Sequence, residues 1–392
     1  MKVRNHLSGV LVVFLFLQAF LFPMGSRALA SAAPPGISAE AAALIDVASG
    51  RILYQKNGNK KMRIASLTKT MTAIVAIETA NLQDVVTVPP QAVGVEGSSI
   101  YLKRGEKLTL EELLYGLMLR SGNDAAVAIA YHVGGSVPGF VHLMNEKAAL
   151  IGMTHTNFTN PHGLDDSNMH YSTAEDMVKL SAYALKNPVF KKIVSTKVKS
   201  ISWEGENWDR RLQNKNKLLH LYKGADGVKT GYTKLAKRCL ASSATRDGRQ
   251  LAVITLNAPD DWNDSMRLMD WGFSQFKVTR LVEKGQAVNL STSAPGMGTD
   301  FRLVTMNEFS YPLKEGEEGN IRTEGKLVEA TLTSDLVGRH VGYLEVFLGQ
   351  QRIGSIPLTL EGTTPAVMQA KKSSASFWDR VWQIMAGGMW SA

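Results

Sequence analysis

The chain has 392 residues, 44% of them apolar, with ordinary glycine and proline content, which excludes a disordered chain and leaves room for two domains with cores. Its net charge of +9 comes without a dense basic cluster, so an anionic envelope is a better partner than nucleic acid. The single cysteine, Cys239, excludes an internal disulfide, and His155, His162 and His170 lack zinc-ligand spacing.

Met1-Lys2-Val3-Arg4, an apolar run from Val10 to Phe22, and Ala28-Leu29-Ala30 have the form of a secretory signal peptide cleaved after Ala30. An uncleaved anchor helix is the alternative, but the run is short for spanning and Pro23 and Gly25 interrupt its end. Loss of Lys2, Arg4 and Arg27 with the signal lowers the net charge from +9 to +6. After Pro34-Pro35-Gly36, the runs Ala43–Val47 and Arg51–Tyr54 flank a Ser-Gly turn and predict a β-hairpin. The next stretch, Ala65 to Ala73, predicts a helix starting near Ser66.

Val85–Val88 predicts a short strand, stopped by Pro89-Pro90. A helix opens at Thr109, with Glu111 and Glu112 suited to its first turn, and stops at Ser121-Gly122-Asn123. The almost wholly apolar stretch Asp124 to His132 predicts a buried helix, so the Ser-Gly-Asn turn is pinned between two core helices. A further helix is expected from about Pro138 to Leu150. Asn157 to Tyr171 has no periodicity and predicts a long functional loop. Ser172-Thr173-Ala174-Glu175 has the pattern of a capping box for a helix to about Leu185.

From Lys215 the chain is polar and turn-rich until Gly227-Val228-Lys229-Thr230-Gly231-Tyr232. Asp247-Gly248 separates the apolar runs Leu240–Ala244 and Leu251–Leu256, a strong hairpin signal that puts Lys229 just before, or on, the strand leading into it. A helix from about Trp262 to Phe276 closes the first domain. Short alternating runs follow, at Ala287–Leu290, Phe301–Val304, Leu327–Leu332, Tyr343–Leu348 and Ile353–Leu360, which predict a small β-sandwich or barrel-like domain. In the tail, Phe377, Trp378, Val381, Trp382, Met385 and Met389 form one helical stripe, which predicts an amphipathic helix lying on a membrane.

Ser66 and Lys69 share a helix face at i and i+3. A serine hydroxyl becomes a nucleophile when a base takes its proton, and a lysine is such a base only when burial or a second cation lowers its pKa. The spacing alone is not specific, since Ser274 and Lys277 share it. Ser66/Lys69, Ser121/Asn123 and Lys229/Thr230/Gly231, in this order, carry the content.

The three pieces match the Ser-x-x-Lys, Ser-x-Asn and Lys-Thr-Gly set of penicillin-interacting serine enzymes. With Ser-Gly-Asn as the second motif, most of the chain resembles the low-molecular-mass D-alanyl-D-alanine carboxypeptidases. The resemblance implies an α+β fold. A β-lactamase/transpeptidase-like catalytic domain, an antiparallel sheet with a helical subdomain, would span 36–276. An all-β domain would span 277–362 and an anchoring helix 373–392, after a signal peptide at 1–30.

By the same resemblance Ser66 is the nucleophile, Lys69 its base and Lys229 the second cation. Ser121 relays a proton to the leaving amine, and Asn123 holds the lysine and the substrate backbone. Thr230 adds a hydroxyl for the substrate carboxylate, Gly231 lets substrate lie against the strand, and the N–H groups of Ser66 and Tyr232 form an oxyanion hole. The implied reaction removes the terminal D-alanine of a peptidoglycan stem pentapeptide through an acyl-enzyme, with β-lactams as inhibitors and no metal or cofactor.

One departure concerns the arginine that relatives often supply before a Trp-Gly-Phe segment. Here Asp260 to Ser265 contains none, Arg267 is too far along the helix, and Lys229 with Thr230, Arg238 or another arginine is left to serve. The run Gly227 to Thr233, followed by Cys239, looks more like carboxypeptidases of Gram-positive endospore formers, which extends the expectation to spore cortex maturation. The rivals are a class A β-lactamase, which needs a glutamate that Asn157–Tyr171 lacks, a D,D-endopeptidase using the same residues, and a non-catalytic wall-binding protein.

Overall fold

Alternation of small and branched apolar residues makes a sheet that is buried on both faces. The computed structural model describes residues 33–290, 301–329 and 331–362; the expected signal peptide and amphipathic tail helix lie outside them. Strands β1 (Ala41–Asp46) and β2 (Ile52–Lys56) form the expected hairpin. A 3₁₀ turn at Ala65–Thr68 leads into helix α1 (Lys69–Thr79), and β3 (Val85–Thr87) pairs with β4 (Lys107–Thr109). Helices α2 (Leu110–Leu119), α3 (Asn123–Gly134), α4 (Val137–Ile151), α5 (Ala174–Leu185) and α6 (Pro188–Ser195) follow. Strands β5 (Val198–Ile201) and β6 (Arg210–Gln213) pair with each other, and the single turn α7 (Leu218–Leu221) precedes β7 (Ala225–Thr233), β8 (Lys237–Arg246), β9 (Arg249–Leu256) and α8 (Asp261–Gln275).

The central sheet is antiparallel in the order β2-β1-β9-β8-β7. Successive side chains of a strand point to opposite faces. Ala41, Ala43 and Ile45 of β1 therefore join one apolar cluster with the helices α1, α2 and α3, while Ala42 and Leu44 join a second one with Leu268, Met269 and Trp271 of α8. The same division runs through β9, with Ala252 and Ile254 on the first face and Leu251 and Val253 on the second. Between β8 and β9 the two-residue loop Asp247-Gly248 has positive φ at both positions, +49° and +78°, the turn that the Asp-Gly pair favours.

Helix α2 starts with a complete capping box: Glu112 N–H donates to Thr109 Oγ1 at 3.2 Å, and Thr109 N–H donates to Glu112 Oε2 at 2.9 Å. The box expected at Ser172 shifts by one residue. Thr173 is the N-cap of α5 and its hydroxyl accepts from Asp176 N–H, whereas Glu175 N–H goes to Gly58 O.

Beyond α8 lie β10 (Phe276–Val282), β11 (Phe301–Thr305), β12 (Phe309–Lys314), β13 (Ile321–Leu327), β14 (His340–Leu348) and β15 (Gln351–Gly362). They form a two-stranded sheet, β10-β12, and a four-stranded antiparallel sheet, β11-β15-β14-β13, around a separate core that includes Leu303, Val341, Val346, Leu358 and Leu360. Two expectations need correction here. Of the run expected at Leu327–Leu332 only Leu327 is in a strand, the last residue of β13, while Val328, Glu329, Thr331 and Leu332 lie outside any strand, and Ala287–Leu290 contributes only an isolated bridge through Ala287 to Val304.

Arg51, in the turn after β1, ties this region to the central sheet. Its guanidinium lies 5.1 Å from the Phe276 ring and 5.4 Å from that of Tyr311, and it donates to Glu317 Oε1 at 2.6 Å and Oε2 at 2.8 Å. Partial burial opposes ionisation of Glu317, but hydrogen bonds from Arg51 and from Lys314 N–H outweigh it and hold the carboxyl below its ordinary 4.5. Arg51→Ala should lower unfolding stability by about 2 kcal/mol at pH 7, read by thermal or urea unfolding. Because the folded pKa of Glu317 is depressed, that difference is full above the ordinary carboxylate range and shrinks as pH falls through the folded value.

Candidate active site

Ser66 stands where the 3₁₀ turn passes into α1, with Lys69 the first residue of the α-helix. The i, i+3 geometry holds, and Lys69 Nζ lies 3.1 Å from Ser66 Oγ. Ser274 and Lys277, with the same spacing, straddle the junction of α8 and β10, and Ser274 Oγ is turned to Trp271 O. Lys69 is 0% exposed, and its amine donates to Asn123 Oδ1 at 2.6 Å and to His162 O at 2.7 Å. A neutral amine has two hydrogens and one lone pair. Two acceptors use the hydrogens, which leaves the lone pair facing the Ser66 hydroxyl.

The charge state follows from the surroundings. Burial pushes the Lys69 amine well below its ordinary range, Lys229 and Lys215 add to the shift, and Asp124 opposes it. Lys229 is also buried, on β7, and donates to Thr230 O at 2.7 Å. Burial, helped by the charge of Lys215, pushes Lys229 down to about 7.

Strand β7 is an edge of the central sheet, and its Thr230-Gly231-Tyr232 run passes beside the turn that carries Ser66. A Cβ on Gly231 would stand 3.2 Å from Ser66 N and 3.3 Å from Ile64 O, so a side chain there would crowd the turn. On the other wall, Ser121 holds a left-handed φ of +65° between α2 and α3, a strained conformation for a residue with a Cβ. Asn123 N–H donates to Ser98 O at 2.7 Å, and its Nδ2 donates to Glu96 O at 2.5 Å. The buried Asp124 carboxylate accepts from Ser99 Oγ and from the N–H groups of Ile100 and Leu102, which fixes the adjoining loop.

Between these walls is a cleft of about 300 Å³ lined by Ser66, Ser121, Thr230, Gly231 and Tyr232, with Lys215 and Arg238 also on its surface. All eight residues singled out in the sequence, Ser66, Lys69, Ser121, Asn123, Lys229, Thr230, Gly231 and Tyr232, thus lie in or directly against one site. Lys215 was not anticipated. It lies in a polar stretch without periodicity, and only the fold brings its Nζ to Ser98 Oγ, 2.9 Å away. Arg238 is the arginine that reaches the cleft, where Asp261 accepts from its Nη2 at 2.5 Å and its Nε at 3.2 Å. Arg267 is directed to Asp264, at 2.5 Å.

Comparison with known proteins gives the family. Residues 28–260 match the D-alanyl-D-alanine carboxypeptidase family, and residues 276–365 match the penicillin-binding protein 5 C-terminal domain. The chain belongs to the D-alanyl-D-alanine carboxypeptidase family. Among its relatives, the carboxypeptidase DacF of Bacillus subtilis is 34% identical over 317 residues, covering 78% of this chain and 80% of the relative. DacC of Escherichia coli is 31% identical over 386 residues, covering 94% and 93%. The crystal structure of penicillin binding protein 5 from Haemophilus influenzae superposes with a TM-score of 0.69 at 30% identity, covering 84% of this chain and 98% of that one. As a member of this family the chain is a serine carboxypeptidase with the family's catalytic fold and an all-β C-terminal domain.

The buried lysines of this carboxypeptidase leave a signature in stability. Unfolded Lys229 takes up a proton below its ordinary 10.5, whereas the folded one does so only below about 7. Stability contributed through this group therefore rises with pH between those values. Lys229→Met should be more stable than the parent at pH 7, on the order of a few kcal/mol, and so unfold at a higher temperature, with the gap closing near pH 10.5. Melting curves of both proteins across this range check it.

Proposed function

We propose that Ser66 attacks the carbonyl between the two terminal D-alanines of a peptidoglycan stem pentapeptide, with Lys69 as its general base. What carries this reading is the Lys69 amine, buried beside two cations and committed by both hydrogens, with its remaining lone pair toward Ser66 Oγ at 3.1 Å. Negative charge then develops on the carbonyl oxygen, where the N–H groups of Ser66 and Tyr232 act as the oxyanion hole; one such donor is worth about 3 kcal/mol. Ser121, on the facing wall, passes the proton to the departing D-alanine amine. Asn123 orients Lys69 through Oδ1, and its Nδ2, which has one hydrogen beyond that given to Glu96 O, holds the acyl side of the substrate. Water then hydrolyses the acyl-enzyme.

The substrate carboxylate is met by Lys229, the Thr230 hydroxyl and Arg238. Arg238 takes the place of the arginine missing from Asp260–Ser265, because it lies on the cleft and Asp261 fixes its fork. A β-lactam presents an amide and a carboxylate in similar positions and acylates the same serine, releasing slowly. In this reading residues 36–276 are the catalytic domain and 277–362 a supporting domain. Residues 1–30 direct export, and 373–392 hold the enzyme at the outer face of the cytoplasmic membrane, against the cell wall, through the stripe of Trp378, Trp382 and their neighbours.

Release of D-alanine from a pentapeptide ending in D-Ala-D-Ala tests the chemistry. Ser66→Ala should fold as the parent does, take no fluorescent penicillin and lose activity by about 10³-fold or more. A variant that still releases D-alanine at the parent rate would remove Ser66 from the mechanism. Arg238→Ala should raise KM about tenfold with little change in kcat, as expected for loss of a charge-assisted hydrogen bond made in the ground state. Deletion of 373–392 should shift the protein from the membrane to the soluble fraction with activity retained; unchanged partitioning would remove the anchor.

A further inference from the structure

The loop Asn157–Tyr171 supplies one backbone carbonyl, His162 O, to the mechanism above, yet its far end also reaches the turn that presents Ser66. His170 is 3% exposed, and its two ring nitrogens are differently engaged. Thr159 N–H donates to Nδ1 at 3.1 Å, so Nδ1 is unprotonated and Nε2 carries the ring hydrogen. Burial keeps this ring neutral, its pKa pushed down to about 4, with nearby Asp166 and Asp165 opposing and Arg63 and Lys69 reinforcing the shift. Nε2 lies 2.8 Å from Thr68 Oγ1 and, carrying its hydrogen, can only donate. Thr68 Oγ1 in turn donates to Ala65 O at 2.9 Å.

Ala65 is the residue before Ser66, and its φ is +48°, in the left-handed region that a residue with a Cβ seldom occupies. Such a conformation persists only where neighbours over-determine it. Gly163 of the same loop closes on that carbonyl from another side: a Cβ there, at φ +85°, would stand 1.9 Å from Ala65 O and 2.7 Å from Thr68 Oγ1. One carbonyl oxygen, adjoining Ser66, is thus gripped by a hydroxyl that a tautomer-fixed histidine orients.

We propose that His170 is a positioning residue for the nucleophile: by donating to Thr68, whose hydroxyl holds Ala65 O, it fixes the left-handed turn that aims Ser66 Oγ at Lys69 and the Ser66 N–H at the oxyanion. The inference rests on the reading of Ser66 as the acylated serine. Without the donor at Nε2, the Thr68 hydroxyl is free to rotate away from Ala65 O, and the strained residue loses a restraint. His170 also packs edge-on to Phe158, with ring centroids 5.8 Å apart, so a packing role is what the test must separate.

Two amides divide the imidazole between them. Gln can place an N–H where Nε2 donates to Thr68, while Asn keeps an acceptor near Nδ1 for Thr159 and has no donor that reaches Thr68. The second-order rate of labelling by a fluorescent penicillin, the kcat and KM for the pentapeptide, and the melting temperature are measured for the parent, His170→Gln, His170→Asn, Thr68→Ser and Thr68→Val. His170→Asn and Thr68→Val are expected to label on the order of 10²-fold more slowly, the loss lying in kcat and not in KM. His170→Gln and Thr68→Ser, which keep the relay, are expected within about fivefold of the parent, at melting temperatures like those of the slow variants. Labelling of His170→Asn at the parent rate, or equal slowing of His170→Gln and His170→Asn, overturns the inference. If either His170 variant fails to fold, the Thr68 pair decides by the same criterion. A parent that takes no label at Ser66 overturns the nucleophile reading itself, whereas a labelled parent with indifferent variants overturns only the role of His170.

Discussion

The site depends on an amine kept in a place where its charge is unwelcome. Lys69 is wholly enclosed, and water, which would stabilise an ammonium, is replaced by two neutral oxygens and a hydroxyl. Desolvation is the leading cause of its shift, and the two other lysines make protonation still less favourable. Either effect alone would be weaker. An enclosed lysine without neighbouring cations could draw in a carboxylate partner, and a solvent-facing lysine near two others would be screened. The charge of Asp124 opposes this trend, and its carboxylate is already engaged by Ser99 and the backbone of Ile100 and Leu102.

Holding such a group requires backbone that does not relax around it. The three chain segments that meet here are each anchored at a distance from the cleft. The 3₁₀ turn with α1 sits on the first apolar face of the central sheet, and β7 is hydrogen-bonded along its length to β8. The α2–α3 turn is held by the capping box at Thr109 and by Asp124. Both Ala65 and Ser121 then adopt left-handed conformations at the points where the chain must turn sharply to present a side chain. Strain placed at these two positions is offset by the cores on either side.

This division explains what was legible in the sequence. Ser66 with Lys69, and Ser121 with Asn123, are local arrangements whose geometry is set by a helix turn or a helix break, and the Asp247-Gly248 hairpin is set by its two central residues. Those were readable. Lys215 was not, because its position is set by long-range hydrogen bonds, from its N–H to Leu119 O and from its Nζ to Ser98 Oγ, and nothing in its neighbours repeats. The pairing of β10 with β12 was missed for a related reason: Val278 faces Pro312 in the register, and partners separated by more than thirty residues leave no local pattern. The capping residue of α5 was misplaced by one because Ser172 and Thr173 are equally good caps by type, and the choice was made by Ser172 N–H, which bonds to Met62 O as part of an extended bridge.

Arg238 and Lys215 differ in a way that matters for the substrate. The Arg238 guanidinium is already balanced by Asp261, so its attraction for a distant carboxylate is small, and what it offers is a fixed fork at short range. Lys215 is solvent-exposed and held by the neutral hydroxyl of Ser98, with no acid among the described residues to balance it there, and its charge reaches both Lys69 and Lys229. In the mechanism proposed above, the same field that keeps Lys69 neutral draws an anionic substrate inward, and a carboxylate arriving near Lys229 favours the charged form of that lysine. Attraction of the substrate and neutrality of the base are then two consequences of one arrangement of charge.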